Sequence, residues 1–423
     1  MNPVSKPGTS HTPASPKPLS FWKLALVVFG PGLVVMLADT DGGSAIVAAQ
    51  SGAQWGYRLL LLQLILIPIL CVVQELTVRL GLVTRKGHGE LIAAHFGKSW
   101  AWLSVGTLLV SCIGAILTEF SVIAGVGLLF GVSPWISVGS MVVFLVVTAA
   151  TGSYRRVELI AILLGLFELA FVAVAMVSHP SPTAMLQGMT HMPLGDRQYL
   201  FLLASNVGAV IMPWMVFYQQ SAVVDKGLDL SHLKPARWDT IIGAFITQGI
   251  MVSILVLAAT TIGAKNPNTP LDTVQQIAEA LTPFLGAFWG RIIFALGMLG
   301  AASVATIVVS LTAAWGLGEV TGYKRSLANH PFEAPWFYGV YVVSLLIGAG
   351  IVLSGVNSVK LAIGVNVMNA LLLPIVLGFL FLLSRKALPE PWRIQGWYAW
   401  LVGGIVLCTA GLGVYAGIMG LWQ

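Results

Sequence analysis

The sequence predicts an all-α polytopic membrane protein of two inverted five-helix halves (5+5) with an additional eleventh helix. Three observations predict it. The 423 residues are 57% hydrophobic and 9% charged, with a mean hydropathy of +0.88, whereas a soluble domain carries about 25% charged residues. Eleven apolar stretches reach the roughly 20 residues that cross a bilayer as helix. The first and sixth stretches are interrupted at corresponding places, and paired interruptions in two halves point to a transporter's binding site.

The elements follow in order. Residues 1–20 are rich in Pro, Ser and Thr, have no apolar core and are not a signal peptide. They are expected to form a disordered cytoplasmic tail. Residues 21–423 form a single transmembrane transporter domain. Its spans fall near 22–52, 56–82, 101–131, 134–152, 156–178, 198–222, 239–264, 286–317, 336–354, 359–384 and 396–420. Spans 1–5 and 6–10 are the inverted repeats, and span 11 is peripheral.

Basic residues set the orientation. One set of loops holds Arg85, Lys86, Lys98, Arg155, Arg156, Lys226, Lys234, Arg237, Lys324, Arg325, Arg385, Lys386 and Arg393. The other holds Arg58, Arg197, Lys265 and Lys360, with Arg291 near the eighth span. Positive loops are cytoplasmic, so the N-terminus lies inside and the C-terminus outside. The net charge of +6 therefore reports topology and not nucleic-acid binding.

Three connections are distinctive. Residues 179–197 contain Pro and read as irregular. Within 265–285, Leu271, Val274, Ile277, Ala278 and Leu281 have helical spacing and predict a short interfacial helix. GHGELIAAHFG (87–97) reads as an amphipathic connector whose His88, Glu90 and His95 form a solvated face, with a metal site as the disfavoured alternative. Cys71, Cys112 and Cys408 lie in apolar segments without metal-ligand spacing.

The first span carries Asp39, Thr40, Asp41, Gly42, Gly43 and Ser44 at its middle. A carboxylate there is expensive and marks function, and paired glycines let the backbone leave the helix. The alternative, a loop at 38–45 between two spans, is disfavoured because each flank is too short to cross alone. Asp41 is the candidate cation ligand. Asp39 adds charge or caps a half-helix. In the sixth span, SNVGAVIMPWM (205–215) breaks between Gly208 and Pro213. Met212 is a soft donor that suits transition metals, and the Ala209 carbonyl is freed by unwinding. Asn366 and Asn369, three apart in the tenth span, share an inward face, where helix–helix hydrogen bonding is the alternative role.

Other intramembrane polar groups are candidates for a proton or polar pathway. Glu119, mid-span in AILTEFSVIAG, relays protons or meets a buried cation. Tyr218, Gln219 and Gln220 form a polar end of the sixth span that suits an aqueous exit, shaped by Trp214. Glu75 and Arg79 form an i,i+4 structural pair, Glu158 is interfacial, and Glu168, which lies deeper, is ambiguous.

GPG (30–32), GAQWGY (52–57), TVRLGLVTRKGHGE (77–90), RRVELIAILLGLFELAF (155–171), GAVIMP (208–213) and NVMNALLLP (366–374) come in an order and spacing that resemble the NRAMP family of divalent-metal transporters. The resemblance runs through roughly residues 24–384 and implies the leucine-transporter-type inverted-repeat fold. It places Asp41 at the metal-binding Asp of the family's DPGN motif, Met212 at its metal-binding Met and Ala209 at a coordinating carbonyl. Asn366 stands at a tenth-span Gln, and Glu119 at a Glu linked to proton movement. There are departures. DPGN reads DGGS, so Gly42 replaces Pro and Ser44 replaces the coordinating Asn. Trp214 replaces a His, a second His has no counterpart in MVFYQQSA, and Ile116 replaces an Asp. These resemble the divergent NRAMP-related branch, some of which moves Mg²⁺ without proton coupling, although that branch typically lacks the Met.

The expected function is a secondary transporter importing Mn²⁺ or a similar transition metal through a bacterial-type inner membrane by alternating access. Its metal residues are Asp41, Ser44, Ala209, Met212 and Asn366, and proton coupling is weak or absent. Asp39, Glu119, Asn369 and Gln219 are the polar-pathway candidates. The divalent ion is substrate and not cofactor. The expected partners are that ion and the lipid membrane, with no nucleic acid and no obligate protein. A Mg²⁺ transporter is one alternative, since Mg²⁺ keeps its waters and Ser44 leaves room for one. An amino-acid transporter of the same fold is another, disfavoured because Asp41 repels a carboxylate. A membrane enzyme lacks support, because no Ser–His or HExxH arrangement lies in a span and the seven histidines lie in the tail or loops.

Overall fold

The structure is a computed structural model that describes residues 30–421 apart from 152, 266–269 and 280–281. The tail proposed for residues 1–20 and the start of the first span lie outside the described residues. Seventeen α-helices follow one another, with no strand among the described residues. The first half contains α1 (Pro31–Asp39), α2 (Gly42–Trp55), α3 (Leu60–Thr84), α4 (His88–Phe96), α5 (Lys98–Leu129), α6 (Pro134–Ala150), α7 (Tyr154–Gly165) and α8 (Leu169–Val177). After α9 (Pro182–Thr190) come α10 (Arg197–Val210), α11 (Pro213–Asp225) and α12 (Leu233–Ala258). Next are α13 (Val274–Ala278), α14 (Thr282–Thr321), α15 (Pro335–Val352), α16 (Ser358–Lys386) and α17 (Gly396–Leu421).

Among the described residues, nine helical stretches are long and apolar enough to cross a membrane, and the bent pair α1–α2 makes a tenth. The α6 helix, 17 residues long, stands at the expected fourth span and is shorter than the others. The spans divide into a centre and a rim. In the span made of α10 and α11, 94% of the apolar window is buried, against 33% for α17. The two broken spans therefore sit where lipid does not reach. There, unpaired backbone must be satisfied by protein, because hydrocarbon offers no partner.

Both breaks have a local cause. Pro31 occupies the first turn of α1, where its missing N–H costs nothing. The α1 helix ends at Asp39, Thr40 leaves helical geometry, and α2 restarts at an angle of 47°. In the sixth span Met212 is extended, with φ −96° and ψ 141°, and Pro213 restarts the helix. Pro213 has no N–H, so the carbonyl four residues earlier, on Ala209, receives no helical hydrogen bond. Neighbours hold these half-helices in place. The α12 helix runs beside both α1 and α2, and α16 packs on α10 and α5.

Three connections differ from the sequence expectation. Residues 182–190, read as irregular, form α9, started by Pro182 and capped by the Ser181 side chain. The short helix expected within 265–285 is present as α13, held by a Thr273–Gln276 capping box. Its apolar residues Leu271, Val274, Ile277 and Ala278 are buried against the bundle. Leu271 N–H donates to Gln50 Oε1 at 2.8 Å. Leu281 lies outside the described residues. The α4 connector is a helix, yet its His88 is buried and not part of a solvated face.

Candidate metal site

The site is assembled from the two breaks. Asp41 is the N-cap of α2 and accepts from the Ser44 N–H at 2.5 Å. This is the ordinary cap geometry, placed here in the interior of the bundle. Asp41 and Ser44 are both buried. The Ser44 hydroxyl donates to the Ala209 carbonyl at 3.0 Å. That carbonyl is the one Pro213 leaves open, so the first break satisfies an acceptor released by the second. Met212, three residues further, is buried, and its sulfur accepts from Trp214 Nε1 at 3.2 Å.

Asn366 and Asn369 are buried as expected. A Cβ on Gly208 would lie 1.8 Å from the Asn366 carbonyl, so only glycine lets α16 come this close to the second break. The Asn366 amide oxygen accepts from Asn369 Nδ2 at 3.4 Å, and Ser111 Oγ donates to Asn369 Oδ1 at 2.7 Å. Asn369 therefore ties α16 to α5, while Asn366 stands beside the break.

Glu119 has partners that its local sequence does not reveal. Its carboxylate accepts from Gly42 N–H at 2.9 Å, Gly43 N–H at 3.2 Å and Thr118 Oγ1 at 3.1 Å. It thus sits on the positive end of α2, where the unpaired N–H groups and the helix dipole favour an anion. A proline at position 42 would lack the donor that Gly42 supplies. Gln219 is buried, and its amide donates to Thr240 Oγ1 at 2.8 Å.

Sequence reasoning missed two further acids. Asp239 Oδ2 accepts from Gly32 N–H at 2.8 Å, Leu33 N–H at 3.3 Å and Gly30 N–H at 3.4 Å, and so caps α1 from α12. Glu319 accepts from Ser221 Oγ and Gly89 N–H, both at 2.6 Å, and joins α14 to α11 and to the start of α4. Each acid stands at the end of an apolar run, in RWDTIIGAF and GLGEVTG. That position is their only mark in the sequence.

The same end of the bundle is closed. Tyr218, Gln219 and Gln220, read from the sequence as lining an aqueous exit, are all buried here. Gln220 donates to the Lys86 carbonyl at 2.9 Å and accepts from His88 Nδ1 at 3.0 Å. His88 packs edge-on against Phe217. Burial pushes the His88 imidazole down to about 4, against the opposing pull of Gln220, so it is neutral at pH 7. Lys226 pairs with Glu158 at 2.8 Å. Glu75 pairs with Arg79 as expected and also receives Arg237, each at 2.7 Å.

Among the described residues no three His, Cys, Asp or Glu side chains gather as a metal site would need. A cation here would meet a mixed set instead: the Asp41 carboxylate, the Ser44 hydroxyl, the Ala209 carbonyl and the Met212 thioether. Such a set combines one charge with one soft donor.

A family model described as natural resistance-associated macrophage protein-like, Nramp, matches residues 32–419. The divalent metal cation transporter MntH of Klebsiella pneumoniae strain 342 is 24% identical over 415 residues, 92% of this chain and 96% of that protein. MntH of Chromohalobacter salexigens is 28% identical over 296 residues, 67% of this chain and 68% of that protein. The crystal structure of a manganese transporter from Eremococcus coleocola, in complex with an aromatic bis-isothiourea compound, superposes with a TM-score of 0.75 at 18% identity. It covers 97% of this chain and 90% of that one. That likeness concerns the fold, which is the leucine-transporter type.

Proposed function

Because the chain belongs to the Nramp family, we propose that it is a secondary transporter that imports divalent metal ions by alternating access. The observation that carries this reading is the Ser44–Ala209 hydrogen bond of 3.0 Å. It joins the two breaks beside the buried Asp41 and so supports a site shared by both halves. Relatives named as divalent metal cation transporters and as a manganese transporter support the substrate class.

In this reading Asp41 supplies the charge. Ser44, the Ala209 carbonyl, Met212 and Asn366 complete the shell, with water filling what Ser44 leaves. The domain consists of spans 1–5 and 6–10 as inverted repeats with span 11 at the rim, in an inner membrane with the N-terminus cytoplasmic. The carrier needs no resident cofactor and performs no covalent chemistry. The end closed by Glu319, His88 and Lys226 would have to open for release. Mn²⁺ or a similar transition metal is the substrate, because a thioether adds nothing to the binding of hard Mg²⁺.

Proton coupling is weak or absent. Ile116 and Trp214 cannot carry protons, and both Glu119 oxygens are engaged by the α2 backbone. Uptake into proteoliposomes tests the whole reading. Wild type should accumulate Mn²⁺ against excess Mg²⁺ without acidifying the lumen, and Asp41→Ala should fall to background for every divalent ion. Equal competition by Mg²⁺ would move the assignment to a Mg²⁺ carrier.

A further inference from the structure

The first break holds a second group of oxygens that the transport site does not use. Asp39 ends α1 and is 1% exposed, yet neither carboxylate oxygen has a hydrogen-bond partner. It does not cap a helix, which is one role the sequence suggested for it. Glu168, also 1% exposed, approaches the same place from the 3₁₀ turn Leu166–Glu168, which interrupts the fifth span between α7 and α8. Thr40 Oγ1, on the residue after Asp39, is within reach of Glu168 Oε2 and 2.9 Å from the Leu37 carbonyl. Glu168 Oε1 has no partner. Asp39 directly precedes Thr40 in the chain, so the contact of Thr40 with Glu168 brings the 3₁₀ turn of the fifth span to the end of α1.

Nothing positive among the described ion pairs meets either acid. The α1 C-terminus points its carbonyls here as well, and that end of a helix favours a cation. A buried carboxylate without partners is strongly unfavourable unless something compensates it. Its neighbours Asp41 and Glu119 differ, because both accept backbone N–H groups. The donors available are oxygen alone, from two carboxylates and a hydroxyl. This is the ligand chemistry of hard cations, unlike the thioether-bearing site one turn away.

We infer that Asp39, Thr40 and Glu168 bind a second cation, a hard one held by oxygen alone, next to the transported metal. The inference goes beyond the transport reading and uses none of Asp41, Ser44 or Met212. Bound there, the cation would hold the end of α1 against the fifth span through Thr40 and Glu168. Its occupancy would then bear on when the break can bend.

Equilibrium dialysis of the purified full chain tests it, with Na⁺, Mg²⁺ and Ca²⁺ as separate probes and bound metal counted by elemental analysis. At least one of the three should bind at one ion per chain to wild type and to Asp41→Ala alike. In Glu168→Gln its affinity should fall at least tenfold, while Mn²⁺ binding persists. Thr40→Val, which keeps both acids, should weaken the ion less than Glu168→Gln does and guards against a folding defect. Binding of none of the probes to wild type overturns the inference. So does a hard ion that is lost with Asp41→Ala and kept in Glu168→Gln, since both observations would then belong to one site. Loss of Mn²⁺ uptake in Asp41→Ala is scored separately and bears only on the transport reading.

Discussion

The two breaks look alike in the chain and differ in how they are held. The first is polar. Its three residues Asp39, Thr40 and Asp41 are followed by a helix whose open N–H groups are taken by Glu119 from α5. The N-terminus of α1 is likewise taken by Asp239 from α12. The second is apolar, with Ile211 and Met212 buried. Pro213 removes one donor there, and the carbonyl it strands is satisfied by Ser44. Charge thus enters from one break and softness from the other. The first depends on distant carboxylates for its shape, and the second depends on a proline.

That contrast can be broken by removing an anchor from the first break. Glu119→Ala leaves two buried N–H groups of α2 unpaired, at a cost of about 3 kcal/mol. Ile211→Ala at the second break should cost less, as a partial cavity at a site already unwound. Thermal unfolding in detergent compares the two, and an equal shift would mean that the carboxylate does not hold the first break. Glu119→Gln is the sharper variant, since it keeps an acceptor oxygen and should recover part of the loss.

A smaller effect concerns softness. Met212→Ala should cut the preference for Mn²⁺ or Cd²⁺ over Mg²⁺ about tenfold, or ~1.4 kcal/mol, while Mg²⁺ binding is unchanged. Competition dialysis measures it. A uniform loss for all three ions would make Met212 a packing residue.

The smallest effect lies at the far end of α11, where His88 meets Gln220. The imidazole is pushed down to about 4 in the folded chain, below its ordinary value near 6.5. The folded state therefore binds fewer protons than the unfolded state between those values. Stability is full above about pH 6.5 and declines as pH falls, by about 1 kcal/mol between pH 7 and pH 5.5. His88→Gln should remove that slope from the melting temperature while leaving the melting temperature at pH 8 little changed.

Much of this was legible in the chain because it is local. Hydrophobic length gave the spans, Gly42–Gly43 and Pro213 gave the breaks, and the proposed donors Asp41, Ser44, Ala209 and Met212 lie on those breaks. The partners were not legible, because they come from far along the chain. Asp239 is 207 residues from Gly32, and Glu319 is 230 from Gly89. His88 read as solvated because a short amphipathic helix does not show which neighbour will cover its first turn. Glu168 read as ambiguous because the 3₁₀ turn that presents it leaves no mark in an apolar run.

The anchoring of the first span has a mechanical consequence. Its two halves are fastened to different neighbours, α1 to α12 through Asp239 and α2 to α5 through Glu119. Relative movement of those neighbours is therefore delivered to the residues between the fastenings as a lever delivers load to its pivot. A Cβ on Gly32 would lie 2.6 Å from Asp239 Oδ2, and one on Gly42 would lie 2.9 Å from Glu119 Oε2. A side chain at either glycine would therefore push its fastening carboxylate aside, and Thr40 and Asp41 form the turn on which the load falls.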